Sequence, residues 1–391
     1  MTIAKQLIER ANALIPTLRS RTDEADRAGH LHDRTIQELV DSELVKTMVP
    51  RAFGGFEQDW IVFSQILEAL GRGCGSTGWV MNAYLCTTYL VATFPERAQR
   101  EVFGDKGYTL GPCPMNPRLG KARKVDSGYQ VTLTAPFGSG VYHSDWAVLC
   151  AMTEEKSPEA KPVPLVMLIP RKDYQFDLKS WAVFGMRGTG SATITVKDAF
   201  VPDYLVMDLN VLSNRNAPGT LINTAPMYKV PYISAFVLAA VGMIVGMARR
   251  GQEALEETLI SKVYGMSGQA RGSSTASQMK LGEVAAHINA ASALVEADLQ
   301  RMMAGTADHT LTIDERARFR ADAAYCALLC RRAIEAAKDA AGASCLRDGN
   351  PIQNAFRDIN MIGGSFAYNL ERTTEIAGRV RLKLPIDEDE V

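Results

Sequence analysis

The chain has 391 residues, of which 47% are hydrophobic and 22% are charged, and its formal net charge is −1 at pH 7. This length allows two or three domains with buried cores, and the composition is ordinary for a globular protein. The balanced charge gives no reason to expect nucleic acid or an anionic membrane as a partner.

Several features predict a cytoplasmic protein without membrane contact. The N-terminus runs directly into an amphipathic pattern and lacks the apolar core of a signal peptide. The longest apolar run, residues 235–247, is interrupted by Gly242 and Gly246 and is short for a membrane span. The seven cysteines are dispersed, which favours reduced thiols over a disulfide framework. No histidine and cysteine spacing predicts a metal site.

Residues 1–105 are predicted to form an N-terminal helical domain. Apolar residues of the first segment recur with helical spacing, and Asp33 is the expected N-cap of the next helix. Residues 73–78 read Gly-Cys-Gly-Ser-Thr-Gly, which matches the spelling of a dinucleotide-binding turn. That turn follows a β-strand, whereas a helix precedes this one. We therefore interpret it as a loop between helices or as the rim of a pocket.

Residues 106–215 are predicted to form a middle β domain. Alternating apolar residues over 121–137, around the turn Asp126-Ser127-Gly128, indicate a hairpin. Further short strands are predicted at 147–152, 164–169, 174–178 and 192–196. Strands with few helices between them indicate a compact antiparallel barrel or sandwich.

Residues 216–391 are predicted to form a C-terminal four-helix bundle. Long segments with helical patterns occupy 235–260, 275–303, 313–341 and 351–368. The expected fold class is therefore mainly α with a β domain in the middle.

Two clusters of small and polar residues stand out within the strand-rich region. One reads Phe137-Gly138-Ser139-Gly140, followed by His143-Ser144-Asp145-Trp146, and the other runs from Gly185 to Ser191. Small residues at strand ends let a flat ring approach the backbone, where exposed N–H groups bind its heteroatoms. This suits a planar cofactor such as flavin better than a phosphate chain. The alternative is structural: Trp146 fills the core of the β domain and Asp145 caps a turn.

The domain order and these motifs together resemble the acyl-CoA dehydrogenase fold. More closely, they resemble the two-component (group D) flavin-dependent monooxygenases that are built on this fold. The resemblance rests on the Phe-Gly-Ser-Gly and His-Ser-Asp-Trp segments, on Met-Arg-Gly-Thr-Gly-Ser at 186–191, and on Val201-Pro202, Arg271-Gly272 and Phe356-Arg357-Asp358. It covers nearly the whole chain.

The resemblance implies a homotetrameric enzyme that takes reduced FAD from a separate reductase, with FMN as the alternative flavin. The lack of a credible nicotinamide-binding motif fits this division of labour. Such an enzyme would keep a C4a-hydroperoxyflavin in a dry pocket and use O2 to oxygenate a small aromatic or heteroaromatic substrate. The implied flavin-binding residues are Gly138, Ser139, Gly140, Trp146, Arg187, Ser191 and Arg271.

Each of these residues has an implied role. Ser139 would face N5 of the flavin as a catalytic residue, and the backbone of its two glycine neighbours would line the ring. Trp146 would support the ring, and Arg187 and Ser191 would lie on the turn beside it. Arg271 would reach the diphosphate or the adenine across a subunit interface, because a guanidinium pairs well with phosphate oxygens. Alternatively, Arg271 is a solvated loop residue.

Two departures from the family pattern guide the substrate prediction. Where the dehydrogenases have a carboxylate base, this chain has Phe366 at or beside the position, which disfavours dehydrogenation. Phenol-hydroxylating members carry a histidine soon after the Arg-Asp pair, and residues 359–369 contain none. A phenol needs a base to take its proton, whereas an indole-like ring has an electron-rich carbon already.

We therefore expect an indole-like heteroaromatic substrate. Asn360, as a second catalytic residue, or Ser365 would bond a ring N–H, and an aromatic pocket would be walled by Trp79, Met81, Tyr84 and Phe366. For Asn360 the alternative is an amide bonded to helix backbone. The alternative functions are a phenol hydroxylase of the same family, an acyl-CoA dehydrogenase-like oxidoreductase, and a non-catalytic scaffold that retains the fold.

Overall fold

The computed structural model describes residues 1–154, 161–212, 216–263, 265, 268–308 and 311–386. The N-terminal part is helical, as predicted. Its helices are α1 (Ile3–Ala28), α2 (Asp33–Asp41), α3 (Trp60–Gly73), α4 (Gly75–Thr93) and α5 (Glu96–Phe103). The apolar stripe of α1 is buried against α3, and α4 is buried along nearly its whole length. This is why α4 shows no amphipathic pattern in the sequence.

The start of α2 differs from the prediction by one residue. His32 is the N-cap, because its ring accepts a hydrogen bond from the backbone N–H of Arg34. Asp33 is instead the first helical residue, and its carboxylate contacts Nε2 of His143 at 2.9 Å. A contact made across the fold therefore takes the aspartate away from the local capping role.

The middle part is one seven-stranded sheet with the order β5-β6-β2-β1-β3-β4-β7. Its strands are β1 (Gly120–Val125), β2 (Gly128–Gly138), β3 (Trp146–Thr153), β4 (Pro164–Pro170), β5 (Gln175–Asp177), β6 (Ala192–Pro202) and β7 (Val206–Asp208). The predicted hairpin forms β1 and β2, whereas β7 was not predicted and β6 extends beyond its predicted end.

One pairing in this sheet is parallel, which differs from the antiparallel expectation. Strands β1 and β3 run in the same direction, while the other neighbouring strands are antiparallel. The reason is that both edges of β2 are occupied, by β1 and by β6. The chain that leaves β2 therefore passes to the free edge of β1. The connection of residues 139–145 that makes this passage carries the first motif cluster.

The C-terminal part is a helical bundle. Its helices are α6 (Tyr232–Ala239), α7 (Val241–Ser261), α8 (Thr275–Asp308), α9 (Ile313–Ala341), α10 (Pro351–Gly363) and α11 (Leu370–Arg381). Helix α7 packs against α8, α9 and α10, and also against α3 of the N-terminal part. A capping box between Thr312 and Glu315 marks the beginning of α9.

The segment Tyr232–Ser261, made of α6 and α7, is long and apolar enough to cross a membrane by length and composition. The sequence-based judgement concerned only the shorter run 235–247 within this segment. The most apolar window of the segment is 83% buried inside the protein. Packing against α3 accounts for much of this burial.

Two glycines of α7 permit its close approach to α3. A Cβ built on Gly242 would lie 2.3 Å from the carbonyl oxygen of Ser64, and one on Gly246 would lie 2.1 Å from that of Glu68. Gly75 in the 73–78 segment is similarly confined, since its Cβ would lie 2.5 Å from Sδ of Met247. That segment is a helix–helix junction, in agreement with the structural interpretation, and not a dinucleotide-binding turn.

Candidate functional site

The Ser139 side chain lies at the centre of a buried chain of hydrogen bonds. Nε1 of Trp79 donates to its Oγ at 2.8 Å, and its Oγ lies 2.7 Å from Oγ of Ser191. The Ser191 hydroxyl in turn lies 2.7 Å from Oγ1 of Thr189. Ser139 is only 7% exposed. Helix α4, the end of β2 and the turn before β6 therefore meet at one hydroxyl group.

The backbone around Ser139 is shaped by departures from regular strand geometry. Phe137 has a φ of +64°, and the pairing of β2 with β6 shifts register between Ala135 and Gly138. Gly140 has a φ of +75°, its N–H donates to the Thr189 carbonyl at 3.0 Å, and its own carbonyl accepts from the Tyr84 hydroxyl at 2.9 Å. Left-handed conformations of non-glycine residues such as Phe137 are costly, so surrounding contacts must hold them in place.

The second motif forms the turn that carries Ser191. Met186 lies at the start of this turn and has a left-handed backbone conformation, with a φ of +55°. Its carbonyl accepts from Oγ1 of Thr189 at 2.8 Å and from Nε1 of Trp181 at 3.1 Å. Its N–H donates to Oδ1 of Asp358 at 2.6 Å. The hydroxyl chain around Ser139 thus continues through the backbone of one residue, Met186, to a carboxyl group on α10.

Burial dominates the electrostatics of Asp358. The side chain is 5% exposed, and this desolvation raises the pKa of its carboxyl group to about 7, against the hydrogen bond from Met186, which lowers it. Its neighbour Arg357 is also buried and pairs with Asp26 of α1. Sequence reasoning used the Arg-Asp pair only as a family motif and did not assign it to the site. The available signal was a pair of charges on an otherwise apolar helix face.

Exposed aromatic side chains border this chain of hydrogen bonds. Phe137 is 61% exposed and meets Trp181 edge-on, with ring centroids 6.0 Å apart. Phe184, which is also exposed, meets Phe356 of α10 edge-on at 6.3 Å. We call these four residues the aromatic rim. Large apolar side chains that remain open at a site offer a surface for a flat ligand.

The residues present fit a flavin. The hydroxyls of Ser139, Thr189 and Ser191 can each donate and accept a hydrogen bond, which matches both N5 of an oxidised flavin and N5–H of a reduced one. The aromatic rim adds apolar surface beside them. Among the described residues there is no group of three or more histidine, cysteine or acidic side chains that could hold a metal ion.

The structure places the other predicted flavin residues as follows. Trp146 is partly buried at the beginning of β3 and packs against the core. Its neighbour Asp145 pairs with Lys106 at 3.0 Å and accepts from the N–H of Leu110. Nε of Arg187 donates to the carbonyl of Val183 at 3.1 Å. These groups therefore have partners within the protein in addition to any ligand.

Arg271 is far in sequence from the turn at Met186, and its own turn packs against α7 and α8 of the bundle. It begins the short turn between α7 and α8, and its guanidinium donates to the carbonyl of Ala341 at the end of α9. From this position, Arg271 can contact a ligand that lies against the end of the bundle.

The predicted substrate residues fall into two groups. Met81 and Tyr84 are fully buried in α4, so their side chains pack behind the site and do not face open space. This corrects their expected place in a pocket wall, and the reason is that α4 is surrounded by protein on nearly every side. Trp79 keeps an exposed part, and Phe366 is 68% exposed.

Asn360 and Ser365 lie on α10 and just after it. Nδ2 of Asn360 donates to the carbonyl of Phe356 at 2.8 Å, one turn earlier in the helix. This bond is the one expected of an amide that packs along helix backbone, and it occupies one N–H of the side chain. Oγ of Ser365 is buried without a hydrogen-bond partner among the described residues.

Two family matches cover more than half of the chain. The family described as acyl-CoA dehydrogenase, N-terminal domain, matches residues 6–106, and the family described as acyl-CoA dehydrogenase, C-terminal domain, matches residues 238–369. In sequence, the two matched ranges lie before and after the residues of the middle sheet.

Individual relatives match nearly end to end. The chain is 33% identical to the pigment production hydroxylase of Rhodococcus sp. (strain ATCC 21145), over 98% of both chains. It is 30% identical to the flavin-dependent monooxygenase oxygenase subunit HsaA of Rhodococcus jostii (strain RHA1), over 97% of this chain and 99% of the relative. The crystal structure of XiaF from Streptomyces sp. with FADH2 and glycerol superposes with a TM-score of 0.90 at 27% identity, over 98% of this chain and 96% of XiaF.

Further relatives bear the names of two substrate classes. One is the FADH2-dependent resorcinol hydroxylase, oxygenase component, of Rhizobium sp. (strain MTP-10005), at 27% identity over 93% of this chain and 90% of that one. Another is the indole-3-acetate monooxygenase of Acinetobacter baumannii, at 24% identity over 95% and 93%. The chain therefore belongs to the acyl-CoA dehydrogenase superfamily and is the FADH2-dependent oxygenase component of a two-component flavin monooxygenase that acts on aromatic substrates.

Proposed function

We propose that this chain oxygenates an indole-like heteroaromatic substrate and that Ser139 holds the N5 edge of the flavin. The observation that supports this most is the nearly buried Ser139 hydroxyl, which is held by hydrogen bonds to Trp79 and Ser191 and follows Phe137 of the aromatic rim by two residues. When bound, the reduced flavin supplies the two electrons with which one atom of O2 enters the substrate and the other leaves as water.

The chain's own residues orient the ring and keep water away. Nε1 of Trp79 donates a hydrogen bond to Oγ of Ser139, which fixes the position of the serine oxygen. The oxygen acts as the acceptor in this bond, so the hydroxyl proton is available for another acceptor. The serine proton can then point either to Ser191 or to the flavin, while Ser191 donates to Oγ1 of Thr189, whose own proton goes to the Met186 carbonyl. Phe137 and Trp181 provide apolar cover beside the ring, which limits the entry of water.

The substrate proposal rests on the region after Arg357-Asp358. The chain has five histidines, at positions 30, 32, 143, 287 and 309, so none follows the pair. Asn360 uses an N–H on the helix backbone, and its side-chain oxygen is an acceptor that suits the N–H of an indole-like ring. A neutral ring of this kind reacts at an electron-rich carbon and needs orientation more than proton removal.

Phenol hydroxylation is the second candidate, and one observation favours it. Cys113 contacts the carbonyl of Ala83, which lies one helical turn after Trp79, at 3.7 Å. A hydrogen bond from Cys86 is the main cause that lowers the pKa of the Cys113 thiol. A lowered thiol pKa is the property that a base for a phenol proton requires. The names of the resorcinol hydroxylase and pigment production hydroxylase relatives agree with this candidate.

Single-turnover experiments with 18O2 distinguish the candidates. The protein is mixed with chemically reduced FAD and then with labelled oxygen and either indole or resorcinol. We expect label in an indole product and little in a resorcinol product. Label in phenolic products alone would contradict the heteroaromatic proposal. Turnover of a CoA thioester with a dye acceptor, and without labelled product, would indicate a dehydrogenase instead.

We also propose that the protein is a homotetramer in which Arg271 binds the diphosphate or adenine of FAD bound mainly to another subunit. Support comes from its position at the end of the bundle, next to Gly342 and Ala341. A guanidinium there is suited to bidentate pairing with phosphate. The cytoplasmic location stays a prediction.

A further inference from the structure

Asp358 contacts both structural elements that hold the partners of Ser139. Its Oδ1 accepts a hydrogen bond from the N–H of Met186, which lies at the start of the turn that carries Thr189 and Ser191. Its Oδ2 lies against the other element, because a Cβ built on Gly75 would be only 2.8 Å from it. Gly75 is the first residue of α4, the helix that carries Trp79. A carboxylate at this end of a helix is favoured by the helix dipole.

The contact with α10 is tight on its other side as well. A Cβ on Gly185 would lie 2.2 Å from the carbonyl oxygen of Arg357, so the backbone of the turn rests directly on the backbone of α10. Arg357 is held in turn by Asp26 of α1. Because these contacts are tight, a displacement of the Asp358 carboxyl group would also displace Met186.

Charged groups of both signs face Asp358 from the surrounding elements. The negative charge of Asp26 raises its pKa, whereas the positive charges of Arg357 and Arg187 lower it, and burial outweighs all of them. An open cavity of about 100 Å³ has Asp358 in its lining. Its other ionisable lining residues are Arg19 and Asp23 of α1, Cys74 between α3 and α4, and Arg250 of α7. The cavity provides a path along which a proton can exchange with solvent.

We propose that Asp358 is a positioning residue for the flavin site: its ionised carboxylate fixes the Met186 turn and the beginning of α4, and through them the hydroxyl of Ser139. The inference rests on the proposed function of Ser139. In the ionised state the bond from Met186 is charge-assisted, and such bonds are roughly twice as strong as neutral ones. Protonation weakens this bond, loosens the turn and leaves Ser139 less well placed.

The test begins with the flavin-free protein. Nε1 of Trp181 donates to the carbonyl of Met186, so tryptophan fluorescence reports on the turn. We expect a fluorescence transition with a midpoint at the pKa of Asp358, about 7, in the wild type. Asp358→Asn keeps the shape of the side chain and a hydrogen-bond acceptor. Its amide does not ionise, so the fluorescence transition should be absent. Trp181→Phe should remove the signal that reports it.

The second readout is the coupling of flavin oxidation to product. We expect the peroxide released per flavin to rise about threefold to fivefold in the wild type as the pH falls through the transition, and to stay high and independent of pH in Asp358→Asn. Asp322→Asn is the matched control. Burial raises the pKa of Asp322 to about 6, but this residue lies on α9, where its charged neighbours are Asp298, Arg318 and Arg301, so both transitions should remain.

The two readouts separate this inference from the proposed function. A wild-type fluorescence signal without a transition near neutral pH, or a transition that persists in Asp358→Asn, would overturn the role of Asp358. An expected fluorescence transition together with no oxygenation at any pH would support the contact with Met186 and overturn the proposed function of the site.

Discussion

At Ser139, a single hydroxyl group connects three parts of the chain that are far apart in sequence. Trp79 comes from the N-terminal helices, Ser191 from the turn before β6, and Asp358 reaches the same group of contacts from the bundle through Met186. The role proposed for Ser139 needs this arrangement because a hydroxyl can stabilise the N5 edge of a ring only if its own orientation is set by other bonds.

Replacing Ser139 by alanine should uncouple the enzyme. The variant would lose the proposed hydrogen bond to the flavin, worth about 1 kcal/mol, which corresponds to about fivefold more peroxide per flavin oxidised. Peroxide and product are measured in the same single turnover. Ser144→Ala is the matched control, since Ser144 is also a buried serine of this region but bonds to Val141 and Tyr174. Equal uncoupling in both variants would remove the role assigned to Ser139.

Replacing Asn360 by leucine should weaken the binding of indole. The loss of an acceptor for the ring N–H is expected to raise KM about fivefold, with a smaller change in kcat. N-methylindole has no N–H, so its KM should be unchanged by the substitution. If both substrates lose affinity equally, Asn360 acts through helix packing, in line with its bond to Phe356.

At the scale of elements, the α3–α7 contact decides how the N-terminal helices meet the bundle. The helices approach so closely that no Cβ fits at Gly246, where the nearest atom would be a carbonyl oxygen of Glu68 at 2.1 Å. Backbone of one helix thus rests on backbone of the other, and neither can move aside as a flexible side chain would.

Gly246→Ala should therefore destabilise the protein. We expect a loss of about 1–3 kcal/mol in the free energy of unfolding, seen as a lower midpoint of thermal unfolding. Gly378→Ala on α11 is the control, because its added Cβ would meet no atom within 4 Å. That variant should be neutral or slightly more stable, since alanine is a better helix former than glycine. Destabilisation of the same size in both variants would contradict the packing argument.

Element types were largely predictable from the sequence, and the reasons are local. The period of the apolar residues in α1 and the turn at Asp126-Ser127-Gly128 are readable without any partner. The cap of α2 and the pairing of β3 with β1 were not, since the first depends on His143 and the second on the occupied edges of β2. Strand β7, with three residues, is too short for its own pattern to indicate it.

At the scale of the whole molecule, the proposed tetramer would complete the flavin site. Arg271 contacts the end of α9, whereas Ser139 contacts α4 and the Met186 turn, so a ligand that reaches both must be long or must cross between copies of the chain. FAD has the length and the phosphates for such a contact, and FMN lacks the second half.

Replacing Arg271 by alanine should weaken the binding of FADH2 more than that of FMNH2. The loss of a charged pair with phosphate is expected to lower FADH2 affinity about tenfold, and anaerobic titration measures both flavins. Arg123→Ala, at an exposed arginine of β1, should change neither affinity. Equal losses of affinity for both flavins would refute the diphosphate contact.

Sedimentation of the wild type should give four times the chain mass of 42.7 kDa.

The sequence by itself determined the layout of this protein: helices, then strands, then helices, with Ser139 and Ser191 in two glycine-rich segments at strand ends. These features follow from periodicity and turn chemistry, which act over a few residues. Only the tertiary structure decided which side chains share the site. It buried Met81 and Tyr84 of α4 behind the site, bonded Asn360 to its own helix, and brought Asp358 to Met186 across 172 positions of the chain. Such contacts depend on how separate elements pack, and no local pattern encodes that packing.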